Sequence, residues 1–260
     1  MHRARDKEFD VTHPELFWFA AVAAALFVGA AKGGLPMIAL LSVPNMSLVM
    51  SPLQGAALLL PVYLISDAYG IWIYRHAFSR RNLAILAPAT TIGVVAGYLF
   101  VGRIDENAVR IVIGAVGLTF LAMQMVSRLQ GGAAARPADI PRGLFWGAVS
   151  GFTSFVSHAG GPAFQLYTLP QQLPKMTFAG TATILFAYVN LIKVPPYLAL
   201  GLIGWGDMGS VLILSPVAIF GAWAGYRITR VIPERLFFIL VEIALLLISL
   251  NLIWAGLRAG

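Results

Sequence analysis

Apolar residues run in helix-length stretches along most of the chain, separated by short clusters of proline, glycine and charged residues. The stretches are nearly continuous rather than alternating, which is typical of membrane-spanning helices and not of the strands of a membrane barrel. The pattern predicts an all-α polytopic membrane protein. Ten segments are expected, at 15–31, 36–49, 53–75, 82–102, 107–128, 142–158, 162–172, 176–201, 207–229 and 235–257.

The chain contains an ordered internal duplication, which is the strongest organisational feature of the sequence. At a constant step, Pro88, Gly93, Gly97-Tyr98 and Glu106 recur as Pro216, Gly221, Gly225-Tyr226 and Glu234. Earlier in each copy, Gly33-Gly34 recurs as Gly160-Gly161, and Asp67 corresponds to Asn190. We therefore predict an N-terminal tail at 1–14, a first repeat at 15–128, a linker at 129–141 and a second repeat at 142–257.

Each repeat begins with two short segments that are interrupted at a Gly-Gly pair followed by Pro36 or Pro162. Short apolar segments broken by glycine and proline at matching positions of two halves indicate the binding site of a transporter. Each repeat is thus predicted to hold a Gly-Gly-broken helical hairpin and three transmembrane helices. Whether the hairpins are re-entrant or cross the membrane fully stays open at this point.

Composition supports a membrane protein and the charge distribution suggests its topology. The 260 residues are 59% hydrophobic and 11% charged, with a mean hydropathy of +0.81; soluble domains carry about 25% charged residues. The net charge of +7 is dispersed over short loops, which argues against a nucleic-acid partner. Three loops carry three arginines each, at 75, 80 and 81; at 128, 136 and 142; and at 227, 230 and 235.

If each repeat makes an odd number of passes, the second repeat is inverted, all three basic loops are cytoplasmic and both termini lie outside. The N-terminal Arg3, Arg5 and Lys7 count against that orientation. The chain has no cysteine and only four histidines, so we predict neither a metal site nor a cofactor.

Ionisable residues within predicted spans are costly and are therefore functional candidates. Five qualify: Lys32, Asp67, His158, Lys193 and Glu242. Lys32 adjoins the first break and His158 lies two residues before the second. Together with the glycines at 33, 34, 160 and 161 and two helix N-termini, they would form an anion site. Alternatively, the Gly-Gly pairs serve only close helix packing.

Other polar side chains fall on helical faces near the breaks. Thr153 and Ser154 could donate hydrogen bonds to an oxyanion, or they bond the carbonyl groups of their own helix. Asn190, Lys193 and Tyr197 share one face of the eighth segment. Asp67 neutralises one of the lysines or carries a proton. Glu242 relays protons or forms a structural pair with an arginine.

Two strings carry a family resemblance. Gly29-Ala-Ala-Lys-Gly-Gly-Leu-Pro36 and Thr153-Ser-Phe-Val-Ser-His-Ala-Gly-Gly-Pro162, the latter followed by Val189-Asn-Leu-Ile-Lys193-Val-Pro-Pro-Tyr197, resemble the sulfite exporter TauE/SafE family along essentially the whole chain. The resemblance implies a secondary transporter of the bacterial inner membrane that exports sulfite or organosulfonates, driven by an ion gradient such as H⁺ or Na⁺. Many members have a third glycine where Lys32 stands, so Lys32 has no family-wide role.

The substrate-binding residues predicted from these features are Lys32, Gly33, Gly34, Thr153, Ser154, His158, Gly160, Gly161, Asn190, Lys193 and Tyr197, with Asp67 and Glu242 as coupling or proton-relay candidates. The partners are then a small anion and the lipid bilayer. A transporter of another anion or of a cation is an alternative, although buried acids do not outnumber buried bases. A membrane-embedded enzyme or its assembly partner is less well supported, because the sequence offers no nucleophile with a nearby base at depth.

Overall fold

A computed structural model describes residues 14–46, 49–50, 52–100, 106–129, 134–157, 159–202 and 208–258. Regular structure within these ranges is entirely helical, which confirms the predicted fold class. The α-helices are α1 (Pro14–Lys32), α2 (Ser42–Met46), α3 (Pro52–Tyr74), α4 (Arg80–Phe100), α5 (Glu106–Leu129), α6 (Ile140–Ser157), α7 (Gly161–Thr168), α8 (Lys175–Ala199), α9 (Met208–Val231) and α10 (Glu234–Arg258). Two 3₁₀-helices are present, η1 (Pro36–Leu41) and η2 (Leu169–Gln171).

Six of the described helices, α1, α3, α4, α8, α9 and α10, are long and apolar enough to cross a membrane, and α5 contains the shorter apolar stretch Arg110–Val126. The protein is therefore a polytopic membrane protein. Its outward faces fit a lipid environment, because large apolar side chains such as Phe19, Ile92, Leu247 and Trp254 are exposed.

Helices of one predicted repeat pack mainly against helices of the other. The principal pairs are α1 with α9, α4 with α6, α3 with α8, and α5 with α10. In the predicted duplication α1 corresponds to α6, α3 to α8, α4 to α9 and α5 to α10. Replacing each helix by its counterpart therefore gives the same four pairs again. Corresponding glycines occupy corresponding crossings: a Cβ on Gly93 would meet the backbone of α6 at Ala148, and one on Gly221 would meet the backbone of α1 at Leu26. The division at 15–128 and 142–257 stays a prediction.

The α6–α7 hairpin returns to the end of the bundle from which it starts. Next to the start of α6, the Asp139 carbonyl accepts a hydrogen bond from the Tyr167 hydroxyl at 3.1 Å, and the Arg136 amide donates to the Pro170 carbonyl at 2.9 Å. The α1–η1–α2 hairpin also folds back, because the Asn45 amide donates to the Ala20 carbonyl in α1 at 2.6 Å. Both breaks therefore lie inside the bundle.

Several basic connections meet at one end of the bundle. The Arg81 guanidinium donates to the Ala138 carbonyl at 2.9 Å, and Thr181 Oγ1 in α8 accepts from the Ser79 amide at 2.9 Å. The Lys175 ammonium at the start of α8 donates to the carbonyl groups of Arg230 and Ile232 at the end of α9. We call this the basic end. That it faces the cytoplasm, with both termini outside, stays a prediction.

The return segment of the first hairpin differs from the expected helix. Pro36 begins a 3₁₀-helix rather than an α-helix, because the Ile38 amide bonds the Leu35 carbonyl three residues back at 2.9 Å. In the second hairpin Pro162 lies in the first turn of an α-helix, as predicted. A helix therefore begins at each break as predicted, but it is a 3₁₀-helix at the first break and an α-helix at the second.

Candidate functional site

A cavity of about 50 Å³ lies between the two hairpins. Polar lining comes from Lys32 at the end of α1, Ser154 in α6, and Thr183 and Asn190 in α8. Its remaining walls are Ala31, Pro36, Ala39, Tyr63, Gly161, Ala182 and Phe186. A single water needs roughly 10–15 Å³ by this measure, so the space accommodates a small ion or a few waters.

Lys32 and Asp67 form an ion pair on one side of the cavity. Lys32 Nζ lies 2.7 Å from Asp67 Oδ1, and both side chains are almost fully buried. The other carboxylate oxygen, Oδ2, accepts a hydrogen bond from the Asn190 amide at 2.8 Å. Asp67 in α3 and Asn190 in α8 occupy corresponding positions of the predicted repeats, so this contact joins the two halves at equivalent points. Of the two lysines proposed as its partner, Asp67 contacts Lys32.

Lys193 is fully buried and contacts the second hairpin. Its ammonium donates to the Ser154 carbonyl at 3.1 Å and to the Ser154 hydroxyl at 3.2 Å. One turn further along α8, the Tyr197 hydroxyl donates to the Phe155 carbonyl at 3.3 Å. The face shared by Asn190, Lys193 and Tyr197 is buried as a whole, and it reaches both α3 and α6.

The Gly-Gly pairs make close backbone contacts. A Cβ on Gly33 would lie 2.4 Å from the Ala222 carbonyl oxygen, and one on Gly160 would lie 2.7 Å from the Ser150 carbonyl oxygen. Gly34 has a φ of +111°, a conformation that favours glycine. Only Gly161 of the four lies on the cavity wall. Close packing therefore accounts for Gly33, Gly34 and Gly160.

Two further predicted residues, Thr153 and Glu242, do not line the cavity. The Thr153 hydroxyl donates to the Val149 carbonyl at 2.8 Å, which is the bond to its own helix that the sequence left open. Glu242 accepts a hydrogen bond from the Gln124 amide at 2.7 Å and lies in a separate cavity. His158 lies outside the described residues. No group of three histidine or carboxylate side chains within the described residues is placed to hold a metal ion.

Sequence reasoning missed three aromatic or hydroxyl side chains. The Tyr63 ring centre lies 5.1 Å from Lys32 Nζ, and Thr183 Oγ1 donates to the Lys32 carbonyl at 3.4 Å. Tyr74 is fully buried, and its hydroxyl donates to the Gly33 carbonyl at 2.8 Å. The spacing of Tyr63 four residues before Asp67 was a usable signal, because such residues share a helical face.

Comparison with protein families gives one match along the chain. The model of the family described as Sulfite exporter TauE/SafE matches residues 18–252 of the 260. Neither the search of curated proteins nor the search of solved structures gives a match. The family match contains both hairpins and all the residues around the cavity, and it confirms the resemblance inferred from the two sequence strings.

Proposed function

The chain belongs to the sulfite exporter TauE/SafE family, and we propose that it is a secondary active transporter that exports a small sulfur-containing anion, sulfite or an organosulfonate, across a bacterial inner membrane. The proposed substrate site is the cavity between the two hairpins. Transport requires no covalent step, so we assign no catalytic residue.

The observation that carries this proposal is the placement of positive charge beside a small buried cavity. Lys32 lies on its wall, and Lys193 contacts Ser154, which is also on the wall. Asp67, which pairs with Lys32, supplies one negative charge. The usual charges of Lys32, Lys193 and Asp67 therefore sum to +1. A buried charge is costly unless it is balanced. A bound anion would balance it, whereas a cation would add to it.

Neutral donors complete the proposed site. The Asn190 amide and the Ser154 and Thr183 hydroxyls present polar hydrogens near the cavity, although in this structure they also serve protein contacts. The start of α7 places Gly161 on the wall, where the positive end of the helix dipole favours an anion. Sulfite and sulfonate oxygens are suitable acceptors for such donors.

Alternating access would arise from movement of one repeat against the other about this cavity. We propose inverted repeats, supported by the crossed packing of α1 with α9 and of α4 with α6. Cytoplasmic basic loops and external termini are proposed from the distribution of the loop arginines. H⁺ or Na⁺ would be the coupling ion. Asp67 is the coupling candidate that the geometry favours, because it bridges Lys32 and Asn190 beside the cavity.

The test is transport by the purified full chain in proteoliposomes, with sulfite, sulfoacetate, chloride and a divalent cation offered separately under H⁺ or Na⁺ gradients. We expect gradient-dependent movement of the sulfur anions. Lys193→Met should reduce it to the rate of protein-free liposomes. Lys175→Met is the matched control, since it removes a lysine at the basic end, outside the cavity.

Both variants must remain monodisperse and helical for the comparison to hold, which size-exclusion chromatography and circular dichroism check. Undiminished sulfite transport by a folded Lys193→Met variant would remove Lys193 from the site. Movement of the divalent cation without movement of any anion would overturn the proposed substrate class.

A further inference from the structure

A second and much larger cavity, of about 800 Å³, opens near the basic end. It shares no lining residue with the cavity between the hairpins. Its walls come from α5, α6, α7, η2 and α10 and are largely apolar; prominent lining residues are Val116, Phe120, Met123, Trp146, Leu166 and Phe238. A volume of this size lies within the range of sites that hold an extended small molecule.

Charged side chains concentrate where this cavity meets the basic end. Arg136 and Arg142 lie just before and at the start of α6, and Glu234 is the first residue of α10. Neither guanidinium group forms a hydrogen bond or an ion pair with the described residues; both arginines are bonded there through their backbone amides. Two arginines and one glutamate give this mouth a charge of +1.

Two further polar residues of the lining, Glu242 and Gln124, lie away from this mouth. Glu242 follows Glu234 by eight residues, which corresponds to about 12 Å along an α-helix. Glu242 and Gln124 are hydrogen-bonded to each other at 2.7 Å. The cavity thus has a mouth with a net positive charge, the Glu242–Gln124 pair inside, and otherwise largely apolar walls on which Thr119 and Gln172 are the further polar residues. This distribution suits an amphiphile with an anionic head.

We propose that this second cavity binds one anionic glycerophospholipid, with its phosphate held by Arg136 and Arg142 and an acyl chain along α5 and α10. Guanidinium groups bind phosphate through paired, charge-assisted hydrogen bonds. Basic pockets between membrane helices are suited to lipid headgroups. The bilayer supplies such a ligand, because α5 and α10 also expose apolar side chains such as Met125 and Leu246 at the surface of the bundle.

The bound lipid would contact the second hairpin directly. Leu166 in α7 and Leu169 and Pro170 in η2 form part of the same cavity wall. Gly161, at the other end of α7, lies on the wall of the central cavity. A lipid in this position would therefore support the helix whose N-terminus faces the proposed substrate, without itself entering the transport path.

Native mass spectrometry of the purified full chain, titrated with phosphatidylglycerol, tests the proposal. We expect one tightly retained lipid per chain. The double variant Arg136→Gln/Arg142→Gln should bind it roughly thirtyfold more weakly, at about fivefold for each lost charge. The matched control is Arg227→Gln/Arg258→Gln, which removes two arginines that lie over Trp223 and Trp254 elsewhere. It should bind as the wild type does.

A second variant tests the apolar wall without altering charge. Val116→Trp places a bulky side chain in the cavity and should abolish the single tight site while the arginines remain. Equal affinity for zwitterionic phosphatidylcholine would overturn the anionic headgroup. Competition by inorganic phosphate at equal concentration would overturn the acyl contribution. A dimer that retains no lipid would show that a second chain fills the cavity, and it too would overturn the proposal.

Discussion

Both hairpins reach the central cavity, but the lysine contact that each makes with its neighbouring long helix runs in the opposite direction. In the first hairpin Lys32 is the donor, and it contacts a carboxylate of α3. In the second hairpin Ser154 is the acceptor, and it receives hydrogen bonds from Lys193 of α8. Because α3 and α8 are predicted counterparts, each hairpin is joined to the same helix of its own repeat, but with donor and acceptor exchanged.

This exchange makes the cavity chemically asymmetric. Lys32 faces an opposite charge at 2.7 Å, whereas the Ser154 oxygen atoms near Lys193 are neutral. A charge is stabilised more by a carboxylate than by a neutral oxygen in a buried environment. In the predicted duplication Asp67 and Asn190 are corresponding residues of different charge, so a cavity between the two predicted repeats suits a ligand that has no two-fold symmetry.

The largest expected effect comes from breaking the charged contact of the first hairpin. Lys32→Met leaves the Asp67 carboxylate buried without that lysine, which should cost about 3–5 kcal/mol of unfolding free energy. Lys32→Met combined with Asp67→Asn should recover much of this loss. Lys193→Met leaves the neutral Ser154 acceptors and should cost about 1–3 kcal/mol. Denaturant unfolding in mixed micelles measures all four chains.

Equal losses of unfolding free energy for Lys32→Met and Lys193→Met would contradict the proposed difference between the two lysine contacts. So would a double variant that is as unstable as Lys32→Met alone, since the pair energy would then lie elsewhere. Lys175→Met serves again as the lysine replacement outside the cavity.

The next effect concerns backbone geometry at the breaks. Gly34→Ala must adopt a φ of +111° and would place its Cβ 2.1 Å from the Tyr74 hydroxyl, so we expect at least about 1–3 kcal/mol of strain. Gly160→Ala meets the Ser150 carbonyl at 2.7 Å but is not among the residues of positive φ. The midpoint temperature of thermal unfolding should therefore fall further for Gly34→Ala than for Gly160→Ala. A larger loss for Gly160→Ala would contradict this ranking.

Most of the fold could be predicted from the sequence, since apolar length and helix-breaking residues determine where membrane helices begin and end. The predicted segment at 82–102 corresponds to α4 at Arg80–Phe100, and that at 235–257 to α10 at Glu234–Arg258. The 3₁₀ form of η1 could not be predicted, because Pro36 is equally compatible with the first turn of either helix type. The local turn at Gly34 and Leu35 decides between them.

The site was predictable only as a set of residue types. An ionisable residue within an apolar helix is a functional candidate because its burial in the membrane costs free energy. This criterion selected Lys32, Asp67 and Lys193. The partners of these residues depend on how the helices pack, so only the structure shows that Asp67 pairs with Lys32. Glu242 met the same sequence criterion, yet its partner Gln124 lies more than a hundred residues away and in a different cavity.

The smallest expected effects concern two tyrosines that hold the hairpins at opposite ends of the cavity. Tyr74 donates to the Gly33 carbonyl at 2.8 Å and packs edge-to-face on Tyr226. Tyr197 donates to the Phe155 carbonyl at 3.3 Å and packs edge-to-face on the Phe155 ring. Loss of one such hydrogen bond costs about 0.5–1.5 kcal/mol. Tyr74→Phe should therefore destabilise the protein slightly more than Tyr197→Phe, because its bond is shorter.

Labelling of the central cavity should distinguish the roles of Tyr74 and Tyr197 more sharply than the unfolding free energies of their variants do. The chain has no cysteine, so Ala182→Cys introduces a single thiol on the cavity wall. Tyr74→Phe should raise its reaction with a membrane-impermeant maleimide from the basic end by roughly two- to tenfold, in proportion to the hydrogen bond lost. Tyr197→Phe should raise it from the opposite end. The control is Tyr69→Phe on α3, because the Tyr69 ring packs near Trp72 and its hydroxyl bonds no described residue of either hairpin. Increased labelling from the same side in both tyrosine variants would mean that the two hairpins do not close opposite ends.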